Sequence, residues 1–107
     1  MISVTHFAAV DTAFEHRALA ALQALAARPG YLAGRVGRST DDPACWVLVS
    51  EWENVGSYRR ALGNFDVKVQ AAPLLAEALD LPSAFEALLE AAPCGEVVRH
   101  ASDLDLA

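Results

Sequence analysis

The sequence predicts an α+β fold, an antiparallel sheet with helices against it. Three observations carry that prediction. Residues 2–10 read as a strand, residues 12–27 as an amphipathic helix, and residues 31–52 as two strands joined by a turn. A second helix begins immediately after the hairpin.

The elements follow in order. Residues 2–10 are mostly apolar, with Ser3 and Thr5 on one parity, which suits a strand buried on most of both faces. Thr12-Ala13-Phe14-Glu15 matches a capping box, in which the Thr12 hydroxyl and the Glu15 carboxylate satisfy each other's backbone amides. Phe14, Ala18, Ala21, Leu22 and Leu25 then recur at helical spacing, and Pro29-Gly30 stops the helix. Residues 31–38 and 46–52 form the hairpin, with Asp41-Asp42-Pro43 in its turn. Asn54 is a good N-cap for helix two, which runs to about Gly63 with Tyr58 in its first turns.

Strand, helix, strand, strand, helix needs one more strand to complete a ferredoxin-like split βαβ sandwich with a four-stranded antiparallel sheet. Two segments compete for that place. Ser83-Ala84-Phe85-Glu86 is a second capping-box match, and Phe85, Leu88, Leu89 and Ala92 have helical spacing, so propensity makes residues 83–92 a helix. Residues 96–100 contain Val97 and Val98 and form a short strand candidate. Pro73 divides residues 66–80.

Composition narrows the function. Hydrophobic residues make up 54% of the 107, high enough that a small domain must bury a surface in a partner or line an apolar pocket. A net charge of -6 disfavours nucleic acid. No apolar run reaches the ~18 to 20 residues that span a bilayer, and the N-terminus lacks a signal-peptide pattern. A cytoplasmic location without membrane attachment is therefore expected. Cys45 and Cys94 are isolated, as expected of unpaired thiols, and His6, His16 and His100 lack metal-ligand spacing, so no metal is expected.

With the hairpin in place, three stretches stand together: RPGYLAGRVGRS, DPACWVLVSEWEN and the helix GSYRRAL. In these the chain resembles the antibiotic biosynthesis monooxygenase family, over about residues 2–90. The resemblance implies a dimeric α+β barrel, in which two sheets meet face to face in a homodimer, and it puts the final strand at residues 83–91 in place of the helix. It implies a domain over residues 1–92 and leaves residues 93–107 as a C-terminal extension, whose acidic end is expected to lie against a partner.

Members that oxidise polycyclic phenols with dioxygen use neither metal nor flavin, so no cofactor is expected. The resemblance assigns their pocket Trp and Tyr, six residues apart, to Trp52 and Tyr58. Their Asn four residues before the Trp is Leu48 here, which removes an amide that would hydrogen-bond substrate. Phe7, Ala61 and Gln70 stand where the haem-degrading branch has Asn, Trp and His, which disfavours haem degradation.

The candidate site follows. Trp52 would stack on an aromatic substrate, Tyr58 would donate to its oxygen, and His6, with an imidazole suited to proton transfer near neutrality, would take the phenolic proton. Phe7, Phe14, Leu48 and Phe65 would provide apolar lining, and Gln70 would supply an amide from the helical side. Each has a plainer reading. Trp52 and the apolar residues serve equally well as core or interface, Tyr58 as a helix-rim residue, and His6 as a buried histidine satisfied by a carbonyl. His16, His100, Arg59 and Arg60 read as solvated. Two functions remain: a cofactor-independent monooxygenase of an aromatic, polyketide-like phenol, and a non-catalytic dimeric protein that binds such a ligand. Acid–base cyclisation or isomerisation on the same fold is a third.

Overall fold

A computed structural model describes residues 1–102. The chain runs β1 (Ile2–Ala8), α1 (Phe14–Ala26), β2 (Tyr31–Arg38), β3 (Cys45–Trp52), α2 (Val55–Leu62), α3 (Phe65–Gln70) and α4 (Ala72–Leu75). Three strands of 2 residues each follow: β4 (Ala84–Phe85), β5 (Leu89–Glu90) and β6 (Val98–Arg99). The main sheet is antiparallel in the order β2-β3-β1-β4, so the predicted α+β class and four-stranded sheet are present.

Strand pleating sorts the side chains. Ser3, Thr5 and Phe7 of β1 pair with Ser50, Leu48 and Trp46 of β3, and all six are buried beneath the helices. Ile2, Val4, Cys45, Val47 and Val49 occupy the opposite face and are half-exposed. The face of β1 and β3 turned away from the helices is thus largely apolar, although no described element of this chain covers it.

Helix α1 buries Phe14, Ala18, Ala21 and Leu25, the stripe its spacing predicts. Its start differs from expectation. Ala13 is the N-cap, without a side-chain hydrogen bond, so the Thr12–Glu15 capping box does not form. Phe14 begins the helix by packing its ring 5.2 Å from that of Phe7 and 5.0 Å from that of Trp46. Burying such a ring contributes roughly 1.5–3 kcal/mol, more than a typical cap at about 1 kcal/mol, so packing overrides the box. After the helix, Gly30 takes φ +86°, and a Cβ there would meet Ser57 Oγ at 2.3 Å. Only glycine fits that bend.

Asn54 caps α2 as predicted, its Oδ1 accepting from Ser57 N at 2.8 Å. Asn64 caps α3, and Pro73 lies in the first turn of α4, where its missing N–H costs no helical bond. Val67, Ala71 and Leu74 turn inward from these two helices.

The last strand of the sheet comes from the 83–91 candidate, and the 96–100 candidate stays outside the sheet. Ala84 and Phe85 pair with Ser3 and Ile2, where the family resemblance places a strand. The chain then leaves the sheet, and Leu89 and Glu90 pair with Arg99 and Val98 in a separate ribbon. The expected domain boundary after Ala92 falls inside that ribbon. No helix forms over residues 83–92: the bond from Val4 N to Ser83 O, 2.7 Å, and the pairing to β1 outweigh local propensity. No helix among the described residues is long and apolar enough to cross a membrane. The expected docking of the acidic tail concerns residues 101–107, of which 103–107 lie outside the described residues.

Candidate functional site

The helix-covered face of β3 ends in Leu48, Ser50 and Trp52, and α2 starts three residues beyond Trp52. That short connection, capped by Asn54, brings Tyr58 back over the sheet. The Trp52 and Tyr58 ring centroids are 5.6 Å apart at 58°, and Tyr31 packs edge-on against Trp52 from the other side at 5.4 Å and 85°. The sequence spacing of the two residues therefore becomes a direct aromatic contact.

Below them lies a polar chain inside an otherwise apolar face. Trp52 Nε1 donates to Ser50 Oγ at 2.8 Å, and Ser50 Oγ is 2.5 Å from Ser3 Oγ. Burial raises the Tyr58 pKa above its ordinary value of 10.0, and the Ser3 hydroxyl, by stabilising the phenolate, pulls it the other way. Tyr58 is therefore a neutral hydroxyl at physiological pH.

Tyr58 borders a cavity of about 230 Å³ between the β1 edge and the helices. Thr5, His6, Leu62, Leu75 and Leu79 also border it. The cavity exists because β4 pairs with only Ile2 and Ser3 of β1. Beyond them the segment after α4 crosses the open edge, with Leu79 N donating to His6 O at 2.8 Å. The volume is somewhat below the ~300 Å³ from which ligand pockets usually range.

The predicted residues separate into two groups. Tyr58 and His6 border the cavity, and Trp52 stands behind Tyr58 at 1% exposure without bordering it. His6 lies on the opposite parity of β1 from Thr5, yet reaches the cavity at the strand's unpaired edge; its Nδ1 is buried without a hydrogen-bond partner. Trp52 instead borders a second cleft of about 350 Å³ towards the β5–β6 ribbon, shared with Met1, Leu32, Glu86 and His100.

Leu48 is buried core on the same face, while Phe7 and Phe14 pack with Trp46 around the far end of the sheet; none of the three borders the cavity. Phe65 is 76% exposed and Gln70 is exposed as well. The Asn64 cap sets α3 so that Val67 points inward, which leaves Phe65 and Gln70 away from every described cavity. The residues missed by sequence reasoning are Ser3, Thr5 and Ser50. Their signal was polar side chains on the core parity of two apolar strands.

The described residues contain no group of three or more His, Cys, Asp or Glu side chains placed to hold a metal ion. The site's chemistry rests on hydroxyls, an indole and an imidazole. They can orient an aromatic ligand, donate to its oxygen and exchange a proton with it.

A four-stranded antiparallel sheet, helices on one face and an aromatic–hydroxyl corner beside the β1 edge describe an α+β protein of the ferredoxin-like type. The family model described as antibiotic biosynthesis monooxygenase matches residues 1–70, and the chain belongs to that family. Among solved structures the fold is similar to SnoaB, a cofactor-independent oxygenase from Streptomyces nogalater, at 19% identity and TM-score 0.65, covering 96% of this chain and 94% of that one. It is also similar to a putative antibiotic biosynthesis monooxygenase from Deinococcus radiodurans, at 21% identity and TM-score 0.63, covering 94% and 98%. A conserved protein from Methanosarcina mazei Go1 matches at 19% identity and TM-score 0.63, covering 78% and 84%. No curated protein matches the chain.

Proposed function

We propose that this protein is a cofactor-independent monooxygenase that oxidises an aromatic, polyketide-like phenol with dioxygen. The observation that carries the reading is Tyr58, a half-buried neutral hydroxyl held against Trp52 at the wall of a cavity of mixed polar and apolar lining. Family membership and the fold shared with SnoaB support it.

Dioxygen is a triplet and reacts slowly with closed-shell molecules, so without a cofactor the substrate must supply the electrons. A phenol becomes a much better donor once deprotonated. His6 at the cavity edge takes the phenolic proton, and Tyr58 donates to the resulting anionic oxygen. The apolar wall formed by Leu62 and Leu75 keeps water from competing for that oxygen. For an anthrone-type substrate, a ring CH2 becomes C=O. One atom of dioxygen enters the carbon, and the other leaves as water with the two hydrogens. Trp52 fixes the Tyr58 ring from behind and does not itself stack on substrate.

A second reading is supported by Leu48. It is buried where the phenol-oxidising relatives are expected to present an amide, and this favours a non-catalytic protein binding the same kind of ligand. We also propose a homodimer, formed by the half-exposed apolar sheet face of Ile2, Val4, Val47 and Val49.

The test is incubation of metal-stripped protein with a hydroxyanthrone and dioxygen. Quinone formation that falls at least about tenfold in Tyr58→Phe supports the oxygenase. Stoichiometric binding without turnover identifies the binder, and neither binding nor turnover rejects both.

A further inference from the structure

We propose that residues 79–82 form a gate over the Tyr58 cavity, which swings off the open edge of β1 to admit an aromatic ligand and closes behind it. The gate serves the same site, so the inference rests on the cavity's reading as a ligand site.

The segment is placed as a thin wall. Leu79 and Leu81 border the cavity, and residues 79–82 belong to no helix or strand. Both leucines also face water, at 43% and 53% exposure. Apolar side chains that line a cavity and meet solvent at once form a wall one residue thick. Without it the cavity would be open along the β1 edge, because β4 pairs with only Ile2 and Ser3.

The ends of this wall are fixed and its middle is not. Upstream, Glu77 N donates to Leu74 O at 2.9 Å and Ala78 N to Leu75 O at 3.1 Å, which continues the last turn of α4. Glu77 is also paired with Arg17 of α1. Downstream, Ser83 O accepts from Val4 N at 2.7 Å, and β4 begins at the next residue. Between these anchors, a single backbone bond among the described residues ties the segment to the sheet, from Leu79 N to His6 O at 2.8 Å. Leu81 N bonds only back to Leu79 O. An exposed segment with one tether and few buried contacts opens at low free-energy cost. The β2–β3 turn shows the contrast. There Ser39 Oγ accepts from Asp41 N and Asp42 N, each at 3.1 Å, and Asp42 Oδ1 accepts from Ala44 N at 3.0 Å, so that turn is pinned from within.

A movable wall meets two needs of the site. The closed cavity, about 230 Å³, falls below the usual range of ligand pockets, so a polycyclic phenol needs a wall that gives. Closing then restores the cover that keeps water from a developing anion. The carbonyl that holds the gate shut belongs to His6, whose side chain borders the cavity, so closure also fixes the β1 backbone at that residue.

Amide hydrogen exchange of the wild-type protein tests the gate without any ligand. After correction for intrinsic rates, the Leu79 amide is expected to exchange at least about tenfold faster than the Val4 amide of the downstream anchor, at a rate that dilute denaturant leaves unchanged, as local opening requires. A Leu79 amide as slow as Val4 overturns the proposal. Passage of ligand is tested by stopped-flow binding of 1-naphthol, followed by tryptophan fluorescence. Pro82→Gly frees a φ that proline holds fixed and is expected to raise the association and dissociation rates together, about threefold or more, with little change in Kd. A static wall would leave the association rate where it was. Should Pro82→Gly fail to fold, Leu81→Ala thins the same wall and is expected to raise the association rate likewise. An association rate unchanged in the folded variant overturns the gate. If 1-naphthol does not bind the wild type, the ligand reading fails, and the exchange of the Leu79 amide still decides whether the segment opens.

Discussion

Trp46 and Trp52 lie on the same face of β3, but their surroundings differ. Trp46 packs against Phe14, with Arg38 5.3 Å over its ring, and its indole N–H has no partner. Trp52 packs against two tyrosines and donates into a pair of hydrogen-bonded serine hydroxyls, Ser50 and Ser3. One end of the face is built by size and apolarity, whereas the other sets polar groups in a fixed order. The packed end is therefore expected to carry more of the stability, and the polar end is where the proposed chemistry is placed.

The largest effect expected from that division is at the packed end. Phe14→Ala removes the ring between Phe7 and Trp46 and should cost about 3–5 kcal/mol in denaturant unfolding. If its loss is instead within about 1 kcal/mol, the packed end is not what holds the sheet to α1. At the polar end, Ser50→Ala leaves the Trp52 N–H without an acceptor and should cost about 1–3 kcal/mol by the same measurement. A cost matching Phe14→Ala would erase the distinction between the two ends.

The smallest effect lies outside both. Arg17 of α1 and Glu77, just beyond α4, form an ion pair that raises the arginine's pKa and lowers the carboxyl's. A lowered carboxyl pKa stabilises the fold at pH values above the ordinary 4.5, and that contribution is lost as pH falls through the lowered value. Because both side chains are exposed, the gain is small and screened by salt. The stabilities of wild type and Glu77→Gln should differ slightly near neutrality and converge in acid. A difference that grows in acid has the wrong sign for this pair.

The sequence made the packed end easier to read than the polar one. Phe14, Ala18, Ala21 and Leu25 announced a buried helix stripe, and Asn54 announced the start of α2, because period and capping are local signals. The 83–92 segment was misleading locally, since its strand exists only through pairing with Ser3 and Ile2, some eighty residues earlier in the chain. The Trp52–Tyr58 spacing was legible through the family resemblance. The roles of Ser3 and Ser50 were not, because a serine on a strand's core parity gains its role from the strand it pairs with. Phe65 and Gln70 were placed in the site on residue type, and the α3 cap turned them outward.

Ligand is expected to bind at the Trp52–Tyr58 end. The direct measurement is the NMR response of the 2 indole N–H signals and the Tyr58 ring to a saturating hydroxyanthrone under argon, where no turnover intervenes. The Tyr58 ring and the Trp52 indole are expected to shift together, while the Trp46 indole stays in place. A shift confined to Trp46, or an unmoved Tyr58 at saturation, would contradict it.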